Sequence, residues 1–262
     1  MKISASYNVF DGEELLGKSI SSIRDSVDFI SVVYQTKSNF GNNCSPDLED
    51  ILHDLRDKGD VQELVKYTPK LNLKPHSNEL IKRNIGLNLA KENSCTHHMP
   101  IDCDEFYVKK EFDNAKEIIE GEGWDSAACQ MITYYKEPTY RLEPKEEYFV
   151  TLPFKINDNT LFVYNLNFPV LVDPTRRVNT NRCKIFKRDE IEMHHMSYVR
   201  KDIRSKAENS SARCNFENEI DAFVDYFNNY KEGRAMILGL PCSFYDTVEV
   251  KNIFNISIVA AT

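Results

Sequence analysis

The sequence predicts an α/β fold built on a doubly wound sheet, and three observations predict it. Short apolar runs alternate with helical patterns through the first half of the chain. The repeated order strand, helix, strand is the one that winds a parallel sheet. Polar segments follow the strand candidates, and in such sheets ligands gather outside the carboxyl ends of the strands.

Each element has a local justification. Residues 2–7 (KISASY) read as a strand, and Leu16, Ile20, Ile23 and Val27 then repeat at helical spacing. DFISVVYQ (28–35) suits a strand buried on both faces. The next helix has Ser45 as its N-cap, Pro46 at its first position and Gly59 as its stop. VQELVKY (61–67) is a third strand, and residues 77–94 form a helix with Ile81, Ile85 and Leu89 along one face. THHMPI (96–101) is a fourth strand, leading into Asp102, Asp104 and Glu105. The second half is less regular, with prolines 138, 144, 153, 169 and 174 punctuating short strands. Its clearest helix carries Phe216, Ile220, Phe223, Val224 and Phe227, and this half reads as an extension of the same sheet.

With 262 residues, 41% of them hydrophobic and 28% charged, the chain reads as a globular protein with a sizeable core. A net charge of −8 argues against a nucleic-acid partner, which would need a basic face. No apolar run approaches a membrane span, and the N-terminus lacks a secretory h-region. Seven scattered cysteines without a C-x-x-C pair suggest reduced thiols and a cytoplasmic setting, with peripheral membrane contact left open.

The acidic run poses the chemical question. Three carboxylates in four positions repel unless a cation, basic neighbours or solvent compensates. Oxygen ligands at this density suit Mg²⁺ or Mn²⁺, which commonly takes one or two carboxylates plus substrate phosphates. A solvated acidic turn is the alternative. Lys82 and Arg83 could offer charge to a phosphate, or form the solvated edge of an amphipathic helix. Asn84 could bind a ligand or a nearby loop. Of His194 and His195, one could complete a metal site, because neighbours on a strand face opposite ways. His97 and His98 read as structural. Arg200, Lys201, Arg204 and Lys206 form a basic run that could neutralise a diphosphate or cover a solvated helix face. No Gly-rich phosphate loop and no nucleophile elbow is present.

Taken together, SASYNVFDGEELLGKSISSI and KRNIGLNLAKENSCTHHMPIDCDEFY resemble the family 2-type glycosyltransferases of the GT-A fold, with an Arg-Asn-x-Gly helix followed by a strand and an Asp-x-Asp motif. The likeness covers residues 2–108, and HHMSYVRKDI is similar to the late histidine segment of metal-dependent members. It implies one GT-A domain with a mixed, mostly parallel central sheet flanked by helices. Residues 1–108 would form the nucleotide-sugar half, and 109–262 the acceptor half with a C-terminal helical extension. It further implies that Ser6, Tyr7, Asn8 and, more weakly, Glu13 line the nucleotide pocket. Gln35 to Asn39 replace the family's acidic base-binding segment. Arg83 and Asn84 would face the nucleotide or its diphosphate, Asp102 the ribose or a metal-bound water, and Asp104 the metal, with His195 or His194 completing the site.

The implied reaction is metal-dependent, inverting transfer from a nucleotide-diphosphate sugar, UDP being expected on family grounds, to an acceptor hydroxyl of unknown identity. Asp173 is the candidate base, with Glu137 and Glu143 as rivals; an Asp-Pro capped turn is the structural alternative. Two other readings are a sugar nucleotidyltransferase, which should carry a Gly-rich basic turn after its first strand, and a non-catalytic nucleotide- or sugar-binding module.

Overall fold

The computed structural model describes residues 1–239 and 242–258. The predicted alternation is present through the first half: β1 (Ile3–Val9), α1 (Glu13–Ile23), β2 (Phe29–Tyr34), α2 (Leu48–Asp57), β3 (Glu63–Lys66), α3 (Pro75–Glu92) and β4 (His97–Asp102). β1 and β2 are buried along their whole length; β2 runs almost wholly apolar, whereas β1 alternates Ile3, Ala5, Tyr7 and Val9 with the small polar residues Ser4, Ser6 and Asn8. These strands pair in parallel in the order β3-β2-β1-β4. The register sets Asn8 beside Asp102 at the carboxyl edge.

After β4 the chain turns at Cys103–Asp104 and enters β5 (Glu105–Phe106), which pairs in a second sheet. Then follow α4 (Lys109–Gly121), β6 (Ser126–Tyr135), β7 (Glu137–Glu143), β8 (Phe149–Thr151), β9 (Phe154–Lys155), β10 (Cys183–Ile185), β11 (Glu192–Tyr198), α5 (Ile203–Asn209), α6 (Ile220–Asn228), β12 (Arg234–Ile237) and β13 (Ser243–Glu249). The second half does not lengthen the first sheet as expected. Its strands run in the order β12-β13-β7-β6-β11-β5, with β8 and β10 also on β6, and only β9 joins the first sheet, antiparallel to β4. The acidic run therefore occupies the crossing between two sheets.

Other expectations shift for local reasons. Ser45 does not cap α2; its hydroxyl takes the Asp47 N–H in a turn that delays the helix to Leu48. Val27 lies beyond α1, after a 3-10 turn at Arg24–Ser26, yet stays buried. Ile81, Ile85 and Leu89 are only half-buried, whereas Lys82, Arg83, Gly86, Leu87 and Ala90 face inward. α3 thus turns charged residues to the interior, which its apolar periodicity does not signal. All seven cysteines are free thiols. Among the described residues, no helix is long and apolar enough to cross a membrane.

That orientation of α3 depends on Gly86. A Cβ there would stand 2.0 Å from Ser6 Oγ and 2.5 Å from Ser6 Cβ, so helix and strand touch backbone to side chain. Gly86→Ala should destabilise by about 1–3 kcal/mol through overpacking. Gly86→Ala combined with Ser6→Gly should recover part of that loss in urea-unfolding midpoints. An unchanged midpoint for the single variant would contradict the close approach.

Candidate functional site

The carboxylates of the sheet crossing are compensated by basic side chains. Asp104 is 2% exposed. Its Oδ2 accepts from Arg200 Nη2 at 2.5 Å and Lys206 Nζ at 3.2 Å, while His195 Nε2 stands 3.6 Å from Oδ1. Asp102 Oδ2 accepts from Arg176 Nη2 at 2.6 Å and from Arg83 Nη2 at 3.3 Å. Glu105, the flanking acid, is gripped at both oxygens by Arg176, at 2.5 and 3.0 Å, and also accepts the Asp102 N–H at 3.3 Å. Glu79 pairs with Lys82 at 3.1 Å, and Asp173 lies 3.5 Å from Arg83. Five acids thus meet five bases, and the cluster is electrically balanced without any added ion.

Burial and charge compete at each acid. Burial would raise the Asp104 pKa, but Lys206, Arg200 and His195 outweigh it and hold the carboxyl well below its usual range. Asp102 keeps 34% of its side-chain exposure, and Arg83 and Arg176 hold it low against what burial remains. At Glu105 burial outweighs Arg176 and pushes the pKa up. Cys103 sits between these acids as a buried thiol whose Sγ donates to Asp11 O at 3.0 Å, tying the turn after β1 to the turn after β4.

Two cavities meet here. One, of about 250 Å³, is lined by Asn8, Gln35, Asn39, Lys82, Asp104 and Arg200 among others. The other, of about 260 Å³, is lined by Met131, Tyr148, Asp173 and Arg176 among others. Glu79, Asp102, His195 and Ser211 line both and form the wall between them. In the first cavity Gln35 is 1% and Asn39 7% exposed, and Gln35 Oε1 and Asn39 Oδ1 have no hydrogen-bond partner among the described residues. Such unsatisfied buried acceptors are costly and suit a ligand with N–H or O–H donors. A larger cavity of about 720 Å³ lies beyond Arg200, lined by Lys136, Phe227 and Ile256 among others. It lacks the convergent buried charge of the smaller pair, so the chemistry belongs to the latter.

The expected residues divide accordingly. Asn8, Gln35, Arg83, Asp102, Asp104, Asp173 and His195 converge. Tyr7 does not: it points to the opposite face of β1, where its hydroxyl lies 3.2 Å from Ser19 Oγ. Ser6 is sealed beneath Gly86. Asn84 serves a loop, donating to Leu80 O and Phe162 O and accepting from Phe162 N. His194 faces an aromatic cluster, with Nδ1 2.8 Å from Tyr134 Oη and its ring against Phe254. Of the basic run, Arg200 and Lys206 enter the site, while Arg204 pairs with Glu208 and Asp221. Glu137 lines the larger cavity and Glu143 pairs with Arg141. Sequence reasoning missed Glu79, although its spacing from Lys82 and Arg83 on one helix was visible.

A divalent ion does not fit these acids as they stand. Among the described residues, no group of three or more His, Cys, Asp or Glu side chains is placed to hold a metal. Oδ2 of Asp102 and Oδ2 of Asp104 are already held by guanidinium and ammonium groups, and Asp104 Oδ1 faces His195 Nε2 at 3.6 Å.

No protein-family model matches the chain, and no curated protein matches it. Among solved structures, S. aureus TarS 1-349 aligns with a TM-score of 0.50 at 13% identity, over 79% of this chain and 63% of that one. TarS 1-349 in complex with UDP-GlcNAc aligns with a TM-score of 0.48 at 14% identity, over 80% and 67%. A mannosyltransferase, PcManGT from Pyrobaculum calidifontis in complex with GDP-Man and Mn2+, aligns with a TM-score of 0.34 at 14% identity, over 52% and 36%. The chain spans under two thirds of the length of TarS 1-349. The likeness is one of architecture: a parallel-rich sheet flanked by helices, of the GT-A type.

Proposed function

We propose that the protein is a glycosyltransferase that moves a sugar from a nucleotide-diphosphate donor to an acceptor hydroxyl. One observation carries the reading: a polar cavity and a more apolar one at the carboxyl edge of the first sheet share a wall that includes Asp102 and His195. The first takes the donor. Gln35 and Asn39 supply acceptors for the donor N–H of a base such as uracil, and Arg200 and Lys206 face its diphosphate. The second takes the acceptor, and the sugar carbon sits at the shared wall. The first half of the chain supplies most of the donor cavity and the second most of the acceptor cavity.

Asp173 is the base in this reading. Its Oδ1 is fixed by Thr175 N and Thr175 Oγ1, both at 2.8 Å, which orients the carboxylate within the second cavity. Its Oδ2 takes the acceptor proton as the acceptor oxygen bonds to the sugar carbon and the bond to the diphosphate breaks. Attack from the cavity opposite the leaving group inverts the carbon.

The test is a panel of nucleotide sugars, following melting temperature and release of nucleoside diphosphate. Asp173→Asn should keep donor binding and lose transfer by at least about 100-fold. Near-normal transfer would move the base elsewhere, and no stabilisation by any nucleotide sugar would sink the reading.

A further inference from the structure

We propose that Arg200 and Lys206 take the place of a divalent cation, so that this site binds a diphosphate without metal. The inference rests on the donor reading above and departs from the metal dependence that the Asp-x-Asp motif implies.

Charge supports the substitution. A carboxylate holding a divalent ion presents a net single positive charge, and Asp104 flanked by Arg200 and Lys206 presents the same. Donor capacity supports it too. Arg200 is 7% exposed, and its Nη1 has no hydrogen-bond partner among the described residues. An ammonium has three donors, and the only hydrogen bond seen among the described residues from Lys206 Nζ goes to Asp104 Oδ2. Both side chains line the cavity of about 250 Å³ together with Asn8 and Gln35. Arg83 Nη1 is a second buried guanidinium nitrogen without a partner among the described residues, while its Nε and Nη2 donate to Thr175 and Asp102. Unsatisfied cationic donors of this kind match phosphate oxygens, which form the strongest charge-assisted hydrogen bonds.

Geometry opposes the metal. An ion at about 2.1 Å from an Asp104 oxygen would lie within a few ångströms of both cationic groups, in a site where water screens little. Arg200 has nowhere simple to retreat. Its Nη1 rests on Gly12, where a Cβ would stand 1.6 Å away, and Cys103 Sγ would be 2.8 Å from that same position. Gly12, with φ +77°, both allows the turn after β1 and leaves room for the guanidinium. Asp104 is thus an anchor for the two cations, and they are the groups that face the ligand.

The experiment measures UDP and inorganic pyrophosphate binding to the full chain by calorimetry, in EDTA and in Mn²⁺, alongside Mn²⁺ binding by loss of the free-ion electron paramagnetic resonance signal. Both ligands should bind equally well in EDTA and in Mn²⁺, and the wild-type protein should leave the Mn²⁺ signal unchanged. Lys206→Met should weaken pyrophosphate in EDTA by about tenfold or more, and Lys206→Arg should restore it. Tight Mn²⁺ binding to the wild type, or a requirement of pyrophosphate for Mn²⁺, would overturn the proposal. So would failure of pyrophosphate to bind under either condition. Pyrophosphate binding in EDTA without binding of UDP or any other nucleoside diphosphate would instead remove the donor reading and leave the metal-free diphosphate site standing. Should Lys206→Met not fold, the wild-type comparison between EDTA and Mn²⁺ decides alone.

Discussion

Replacing Arg176 by methionine should cost about 3–5 kcal/mol of folding stability, the range for breaking a buried ion pair by removing one partner. Arg176 is 3% exposed, and it is the residue that holds Glu105 at both oxygens and Asp102 at one. Without it, Glu105 is left ionisable in a site where burial already pushes its pKa up. A double substitution, Arg176→Met with Glu105→Gln, should recover a large part of the loss, because the stranded charge is removed with its partner. Urea unfolding at neutral pH measures both. A loss below about 1 kcal/mol for Arg176→Met, the value of an exposed pair, would show that the cluster is solvated.

The second large effect is acid lability centred on His98. This imidazole is fully buried, flanked edge-on by Phe154 and Phe162, with Nδ1 3.3 Å from Ser4 Oγ. Burial, with a smaller contribution from Arg83, pushes its pKa down to about 3. His194, also buried, is pushed down to about 4. Their pKa values are depressed in the folded state, so the unfolded chain binds more protons once pH drops below the ordinary histidine value. Stability is then fully present above about pH 6.5 and is lost as pH falls toward the folded values. Each histidine should remove about 2 kcal/mol between pH 7 and pH 5. His98→Phe should roughly halve the histidine contribution to that slope while leaving His194 to supply the rest. Denaturation midpoints measured across this interval read the slope directly. A slope unchanged by His98→Phe would mean that His98 titrates normally.

Much of the first sheet was legible because β2 is a near-continuous apolar run and the apolar residues of β1 recur at strand spacing between helical patterns. The second sheet was not, because β5, β8 and β10 have only two or three residues each and owe their existence to partners far along the chain. The same difference governs the site. Asp102 and Asp104 stood out by local density, and Arg200 and Lys206 stood out as a basic run in an acidic protein. What joined them was hidden: Arg176 reaches Asp102 across 74 positions and Arg200 reaches Asp104 across 96. Spacing rules describe neighbours on one element, so they offered a metal for carboxylates that distant arginines neutralise. Ser6 and Tyr7 were misplaced for another reason. Tyr7 belongs to the apolar face of β1, and Ser6, on the face of Asn8, is covered by Gly86, so only Asn8 meets the cavity.

The turn between the two sheets has a consequence for how the protein is made. Synthesis delivers Asp102, Asp104 and Glu105 after Arg83 but long before Arg176, Arg200 and Lys206, which supply the rest of their compensation. A nascent chain that has completed β4 can pair its first four strands, yet burying that turn must wait for Arg176, Arg200 and Lys206. Contacts of such sequence separation form slowly because their loops must close first. The charged crossing therefore acts as a checkpoint in time, keeping the carboxyl edge of the first sheet open to water until the later segments emerge and close over it.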